Sequence, residues 1–263
     1  MAMDLKRFLV FSMGLAALSV GSSSAAPEAE ALVRRADDLL RPDRSFAVVA
    51  EIDSYRNRAL AGKITLKTYV RVSKTGGEPD ALAFATDPEA ERGKVILRHE
   101  GVLWLLNPGA ERPVKLVGHQ RLQGDASLED LVHLRLAEDY AVTDEGEETI
   151  VEASGKSVAT RRLKLTAKSG VSSVYPTLRL WIGGAFQRPV KMECLAASGK
   201  VLRTVFYDRY RGFLGTDRPA ELMIVDGTAP GRVTRIRFSD YSHQELPADW
   251  YQPEKMREAK PGN

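Results

Sequence analysis

From residue 27 onward the apolar positions first recur at helical spacing and then at every second residue. In PEAEALVRRADDLL, Ala31, Leu32, Ala36, Leu39 and Leu40 fall near one helical face. Pro27 suits a first-turn position and Pro42 closes the segment, so residues 28–40 are expected to form one amphipathic helix. After Asp43 the period becomes two. FAVVAEI places Phe46, Val48, Ala50 and Ile52 on one side; ITLKTYVRV sets Ile64, Leu66, Thr68 and Val70 against Lys67, Tyr69 and Arg71. These are the marks of half-buried antiparallel strands. KTGGEPD, residues 74–80, reads as a turn, and ALAFA as the next strand.

The following hairpin, KVILRH and VLWLL across Glu100-Gly101, is apolar on both faces: Val102, Trp104 and Leu106 share one, Leu103 and Leu105 the other. A strand of that kind is covered on both sides. After a loop at Pro108-Gly109 and a strand near VKLVG, residues 127–140 return to helical spacing, with Ser127 and Asp130 matching a capping box ahead of an apolar run. RRLKLTAK, TLRLWI, PVKMECLA, KVLRTVFYDRY, AELMIVD and VTRIRFSDY then resume the two-residue period between short turns. The expectation is a mainly β (α+β) chain, a meander of roughly ten strands with two helices. Strand twist accumulates across so wide an antiparallel sheet, so it should curl into an unclosed half-barrel with helices covering the concave face.

The N-terminus adds a location. Lys6 and Arg7 precede an apolar run from Phe8 to Val20, and Gly21 to Ala26 is small and polar, the three-part pattern of a secretory signal. Cleavage after Ala25 would leave a mature domain of residues 26–263, exported to the periplasm, with no cysteine near its start to carry a lipid. The chain's net charge of +3 loses the +1 of Lys6, Arg7 and Asp4, leaving +2, with acids and bases interspersed, which gives no argument for nucleic acid. Cys194 is the single cysteine, so no intramolecular disulfide forms and the core must supply the stability. His99, His119, His133 and His243 are scattered without metal-ligand spacing, and neither a nucleophile elbow nor a phosphate-binding glycine loop occurs. No cofactor is expected.

Between Asp87 and Tyr140, Pro88, Arg92-Gly93, VILRHEGVLWLLNP, the basic stretch Arg112 to Lys115, Gln120 to Leu122 and GDASLEDL together resemble the outer-membrane lipoprotein-sorting proteins, the LolA/LolB-like superfamily, in its broad periplasmic branch. Gly124 and Asp125 are adjacent here, where the branch's pattern has a residue between them. YPTLRLWI, PVKMECLAASGK and FSDYSHQELPADWYQPEKM are similar to its later segments. The resemblance implies a half-barrel that holds an acyl chain of a lipid or lipoprotein during transfer, without covalent chemistry. It also implies an inner-membrane transporter as donor, an outer-membrane acceptor and transient membrane contact.

The apolar strand faces supply candidates for the lining of such a cavity: Ile96, Val102, Trp104, Leu106, Leu180, Met192, Phe206 and Leu222. Most of them are more simply read as ordinary core, since burying methylenes stabilises a fold as well as a ligand, and only a subset can face a ligand. Arg92, Gly93, Asp125 and Asp130 are read as structural: a positive-φ glycine or bulge before the hairpin, and helix-capping acids. An accessory protein-binding subunit of an envelope export or efflux complex is the competing reading of the curved sheet.

Overall fold

The computed structural model describes residues 25–73, 77–116, 121–132, 134–152, 154–171, 173 and 175–260. The expected signal segment, apart from Ala25, lies outside them, as do His119 and His133. No helix among the described residues is long and apolar enough to cross a membrane.

In chain order the elements are α1 (Ala25–Leu40), β1 (Phe46–Arg56), β2 (Ala59–Arg71), β3 (Asp80–Asp87), β4 (Val95–His99), β5 (Val102–Leu106), β6 (Val114–Leu116), β7 (Arg121–Gln123), β8 (Ala126–Ser127), α2 (Glu129–Val132), α3 (Leu136–Asp139), β9 (Tyr140–Val151), β10 (Ser157–Ala167), β11 (Thr177–Gly183), β12 (Arg188–Leu195), β13 (Val201–Phe213), β14 (Thr216–Asp226) and β15 (Arg232–Ser242). Thirteen strands form one sheet in the order β6-β5-β4-β3-β2-β1-β15-β14-β13-β12-β11-β10-β9, while β7 and β8 pair separately. Every neighbour but one is a sequence neighbour, as a meander requires; the exception is β1 against β15.

The sheet does not close, but it curls. Glu78, Pro79 and Arg98 beside β3 and β4 line one cavity with Tyr140, Ser173 and Tyr175 from the β9 to β11 region. β4 and β9 stand ten places apart in the strand order, about 48 Å on a flat sheet at ~4.8 Å per strand. Register shifts in β1, β2, β10, β11 and β12 supply local bends.

Two hydrophobic clusters result. On the inner face, α1 buries Ala29, Val33, Ala36 and Leu40 over Val48, Ala50, Ile52, Leu163, Leu165, Leu178, Leu180, Ile224 and Ile236, among others. The outer face of the β1 to β5 half packs Tyr69, Leu82, Phe84, Val95, Leu97 and Leu106 under Leu246, Tyr251 and Met256 of the C-terminal segment. That half of the sheet is therefore apolar on both faces, which explains the doubly apolar hairpin. The outer face of the other half is an ionic ladder, for example Arg162 to Glu145 and Glu148, Arg179 to Glu193, and Arg235 to Glu221.

Three expectations need correction. The strand number rises from about ten to fifteen among the described residues, in part because the acid-rich segment after Tyr140 forms β9, an edge strand with little apolar alternation, and because β7 and β8 pair apart from the main sheet. The helix over 128–140 is two single turns: Arg135 leaves helical dihedrals at φ −92° and ψ 77°, so both turns can lean on the sheet. The buried stripe of α1 is Ala29, Val33, Ala36 and Leu40, and Ala31 is exposed.

Candidate functional site

Beside α1, the segments Arg121–Val132 and 134–139 cover part of the inner face, held by polar contacts rather than by apolar packing alone. The β7–β8 turn lies against β1 and β15. Gly124 has φ +58°, and a Cβ there would sit 2.4 Å from Thr234 Oγ1 and 2.7 Å from Ser54 Cβ, so only glycine permits so close an approach. Gln123 Nε2 donates to Ser54 Oγ at 2.9 Å, and the Asp125 backbone N–H donates to Thr234 Oγ1 at 2.8 Å. The Asp125 carboxylate takes Arg121 at 2.7 Å and Arg232 at 3.0 Å; burial nevertheless pushes its pKa up.

Asp130 carries the next anchor. It accepts the Ser127 N–H at 2.8 Å, the return contact of a capping box, and the Ser127 hydroxyl at 3.0 Å. It also takes both terminal nitrogens of Arg203, at 2.9 and 2.6 Å, from near the start of β13. Burial opposes this carboxylate, but the Arg203 charge and hydrogen bonds outweigh it and hold the pKa below the usual range. Arg203 lies 5.3 Å from the Tyr175 ring centroid, beside the buried Cys194, whose thiol burial pushes up.

α1 is clasped at three places. Asp37 accepts the N–H groups of Leu136 and Ala137 at 3.0 and 2.8 Å, capping α3 from another helix. Burial pushes Asp37 up to about 6, against the lowering effect of those two bonds and of Arg41. Arg218 donates to the carbonyls of Asp38 and Leu39 at 3.1 and 3.0 Å, satisfying the helix C-terminus. At the other end Glu28 meets Arg161 at 3.0 Å, and Arg161 also bonds Asp144.

With these parts in place, two small cavities border them among the described residues, one of about 80 Å³ beside Leu134, Arg135, Tyr140 and Tyr175. The other, of about 20 Å³, is enclosed by Leu40, Leu134, Met192, Arg203, Tyr207 and Leu222. That is room for about one water. An open groove of about 450 Å³ runs beside α1, along Leu32, Ala159, Arg161, Ile182 and Gly183.

The eight apolar candidates divide between faces. Ile96, Leu180, Met192 and Leu222 belong to the inner cluster. Trp104 and Leu106 belong to the outer cluster under the C-terminal segment, Val102 shares their side of β5, and Leu103 and Leu105 are the residues of that strand that pack inward. Phe206 is half-buried and one residue out of phase with the inward-facing Val205 and Tyr207. Gly93 has φ +90°, and Arg92, which is exposed, pairs with Glu89 at 3.1 Å. Sequence reasoning missed Asp37, Arg161, Arg203 and Arg218. Asp37 alone left a signal, an acid at position i+4 from Val33 and i−3 from Leu40 on the buried stripe.

His99 faces Asp80 at 3.1 Å, and Asp80 also binds Arg71 and the Glu100 N–H, a brace for the hairpin. Among the described residues no cluster of metal-ligating side chains occurs.

A search of curated proteins finds no match. Solved structures do match. A LolA superfamily protein of Nitrosomonas europaea is 26% identical, with a TM-score of 0.71, covering 85% of this chain and 97% of that one. A DUF1329 family protein of Desulfovibrio piger is 17% identical with a TM-score of 0.72, covering 88% and 98%. An outer membrane lipoprotein-sorting protein domain of Vibrio parahaemolyticus is 16% identical with a TM-score of 0.72, covering 88% and 99%. The family model matching residues 77–258 is described as an uncharacterised protein, and the chain belongs to that family, on a fold it shares with LolA superfamily proteins.

Proposed function

We propose that the protein is a periplasmic carrier that binds the acyl chains of a lipid or lipoprotein on the inner face of its sheet and passes them toward the outer membrane, without covalent chemistry. The observation that carries this reading is the inner face itself: apolar across most of the sheet and covered by α1 through four apolar side chains, Ala29, Val33, Ala36 and Leu40. Cavities of about 20 and about 80 Å³ are both too small for an acyl chain, so the described form is read as the closed one. Binding requires α1 to move, and the groove along Leu32 and Ile182 is where a chain would first slide beneath it. Each methylene buried contributes about 0.8 kcal/mol, replacing α1 contacts of the same kind. Loading and release then stay near balance, as a shuttle needs. The likeness to a lipoprotein-sorting domain supports the reading.

The tight packing also favours a second reading, in which the curved sheet is a rigid protein-binding subunit of an envelope export or efflux complex. Native mass spectrometry of protein purified from its own envelope separates the two. The carrier should retain fatty-acyl lipid, or take it up on incubation, with a mass shift of one lipid. Lipid-free protein under every loading condition would rule the carrier out.

A further inference from the structure

The β1–β2 hairpin turns through Asn57 and Arg58, both at positive φ, +49° and +70°. A two-residue turn of this type matches strand twist and ordinarily places glycine second. Here an arginine stands there, at a conformational cost that its side chain does nothing to offset within the fold: among the described residues neither Arg56 nor Arg58 pairs with an acid, and both are exposed. The turn is nevertheless fixed. The Asn57 N–H donates to Gly231 O at 2.8 Å, and a Cβ on Gly231 would lie 2.4 Å from Asn57 Oδ1, locking the hairpin to the β14–β15 turn.

Between these two turns an open groove of about 690 Å³ is lined by Tyr55, Asn57, Arg58, Pro230, Gly231, Val233 and Arg235. Arg235 stands 5.7 Å from the Tyr55 ring centroid. Leu60, the strand partner of Tyr55, is 60% exposed, and Ala59 and Ala61 beside it are exposed as well. Acids on the neighbouring strands are already engaged: Asp53, opposite Arg235, is bound by Arg237, Asp226 is buried and bound to Thr228 and Arg232, and Glu221 is shared by Arg209 and Arg235. The surface thus carries two arginines without an acid partner, Arg56 and Arg58, beside an exposed aliphatic tip and a tyrosine.

We propose that this hairpin and groove form a docking surface for an anionic phospholipid bilayer, with Arg56 and Arg58 at the phosphates and Leu60 and Tyr55 at the hydrocarbon boundary. The charge selects the occupant: a protein groove would match an apolar tip, but a plane of phosphates also matches unpaired arginines around a rigid turn. The inference rests on the carrier reading, because a lipid carrier must meet membranes.

Co-sedimentation of the purified protein with phosphatidylglycerol and with phosphatidylcholine vesicles tests it. Binding should favour phosphatidylglycerol, fall about fivefold for each of R56Q and R58Q, and weaken between about 0.1 M and about 1 M NaCl, where the screening length drops from about 10 Å to about 3 Å. L60S should lower the binding that survives high salt. R58G serves as the decisive variant: glycine relieves the turn, so the melting temperature should hold or rise while vesicle binding falls. Equal binding to both vesicles, no response to R56Q and R58Q, or displacement by soluble polyglutamate as readily as by phosphatidylglycerol vesicles would overturn the proposal. Vesicle binding by a protein that retains no acyl lipid would overturn the carrier reading alone, and acyl retention should be unchanged in R58G.

Discussion

Asp37 is ionised at neutral pH at a site that burial makes unfavourable for charge, so its clasp on α3 has a pH dependence whose sign can be worked out. Its folded pKa, about 6, lies above an aspartate's ordinary 3.8. A carboxyl raised in this way contributes most stability below the unfolded value, loses it as pH climbs through about 6, and is flat above. The shift corresponds to roughly 3 kcal/mol at most. The protein should therefore gain stability on acidification from pH 7 toward 5, more so than Asp37→Asn, which keeps an acceptor oxygen but cannot titrate. Melting temperatures of both proteins across that range check it; parallel curves would show that Asp37 carries no such linkage. Asp130 cannot contribute in that window, since Arg203 keeps it below the ordinary carboxylate range. Residues of this kind are where the sequence was least legible. Ser127 and Asp130 were recognisable as a capping box, but Arg203 lies 73 positions away and met no local rule. KVLRTVFY is apolar on both faces, so its phase is ambiguous in the sequence, and reading Phe206 as a lining residue takes the other one. The buried ion pair decides it, drawing Arg203, Val205 and Tyr207 inward.

At the level of elements, periodicity located most of the strands and α1, because half-buried strands and a one-sided helix leave their period in the sequence. It could not say which face of β5 was which. The sequence makes Trp104 and Leu106 candidates for the ligand side; the structure sets them against the C-terminal segment with Leu246, Trp250, Tyr251 and Met256. That segment consists of short turns, Ala248–Tyr251 and Pro253–Lys255, too brief to show a period. Its docking is what makes the outer face of β1 to β5 apolar. Leu106→Ala should consequently cost about 2–5 kcal/mol of stability as a buried leucine does, while leaving acyl retention by the folded protein unchanged. Leu105→Ser, on the inward side of the same strand, should reduce retention. Urea unfolding read beside lipid content by mass spectrometry distinguishes them, and loss of lipid from folded Leu106→Ala would return that face to the site.

For the whole molecule the question is how one sheet can be both a packed core and a binding surface. The meander joins its ends in the middle, β1 to β15, and leaves β6 and β9 as unpaired edges, so the curl is not fixed by closure. The inner face is filled by two covers of different character. The Arg121–Val132 segment is tied into the sheet by Gly124, Asp125 and the Asp130–Arg203 pair, and removing it would strand buried charge, which costs several kcal/mol. α1 is tied by contacts that water can replace: backbone carbonyls to Arg218, the Glu28–Arg161 pair at the exposed groove, and a carboxylate that prefers solvent at neutral pH. Its small buried residues, Ala29 and Ala36, bring the helix close to the sheet but give little area to hold it there. Opening should thus be confined to α1. On loading with a fatty-acyl lipid, amide hydrogen exchange should accelerate in residues 27–40 and in α3, which loses its Asp37 cap, while residues 121–132 stay protected. Acceleration spread evenly over both covers would mean that the interior opens as a unit, and unchanged exchange in α1 with lipid bound would place the acyl chain outside the inner face altogether.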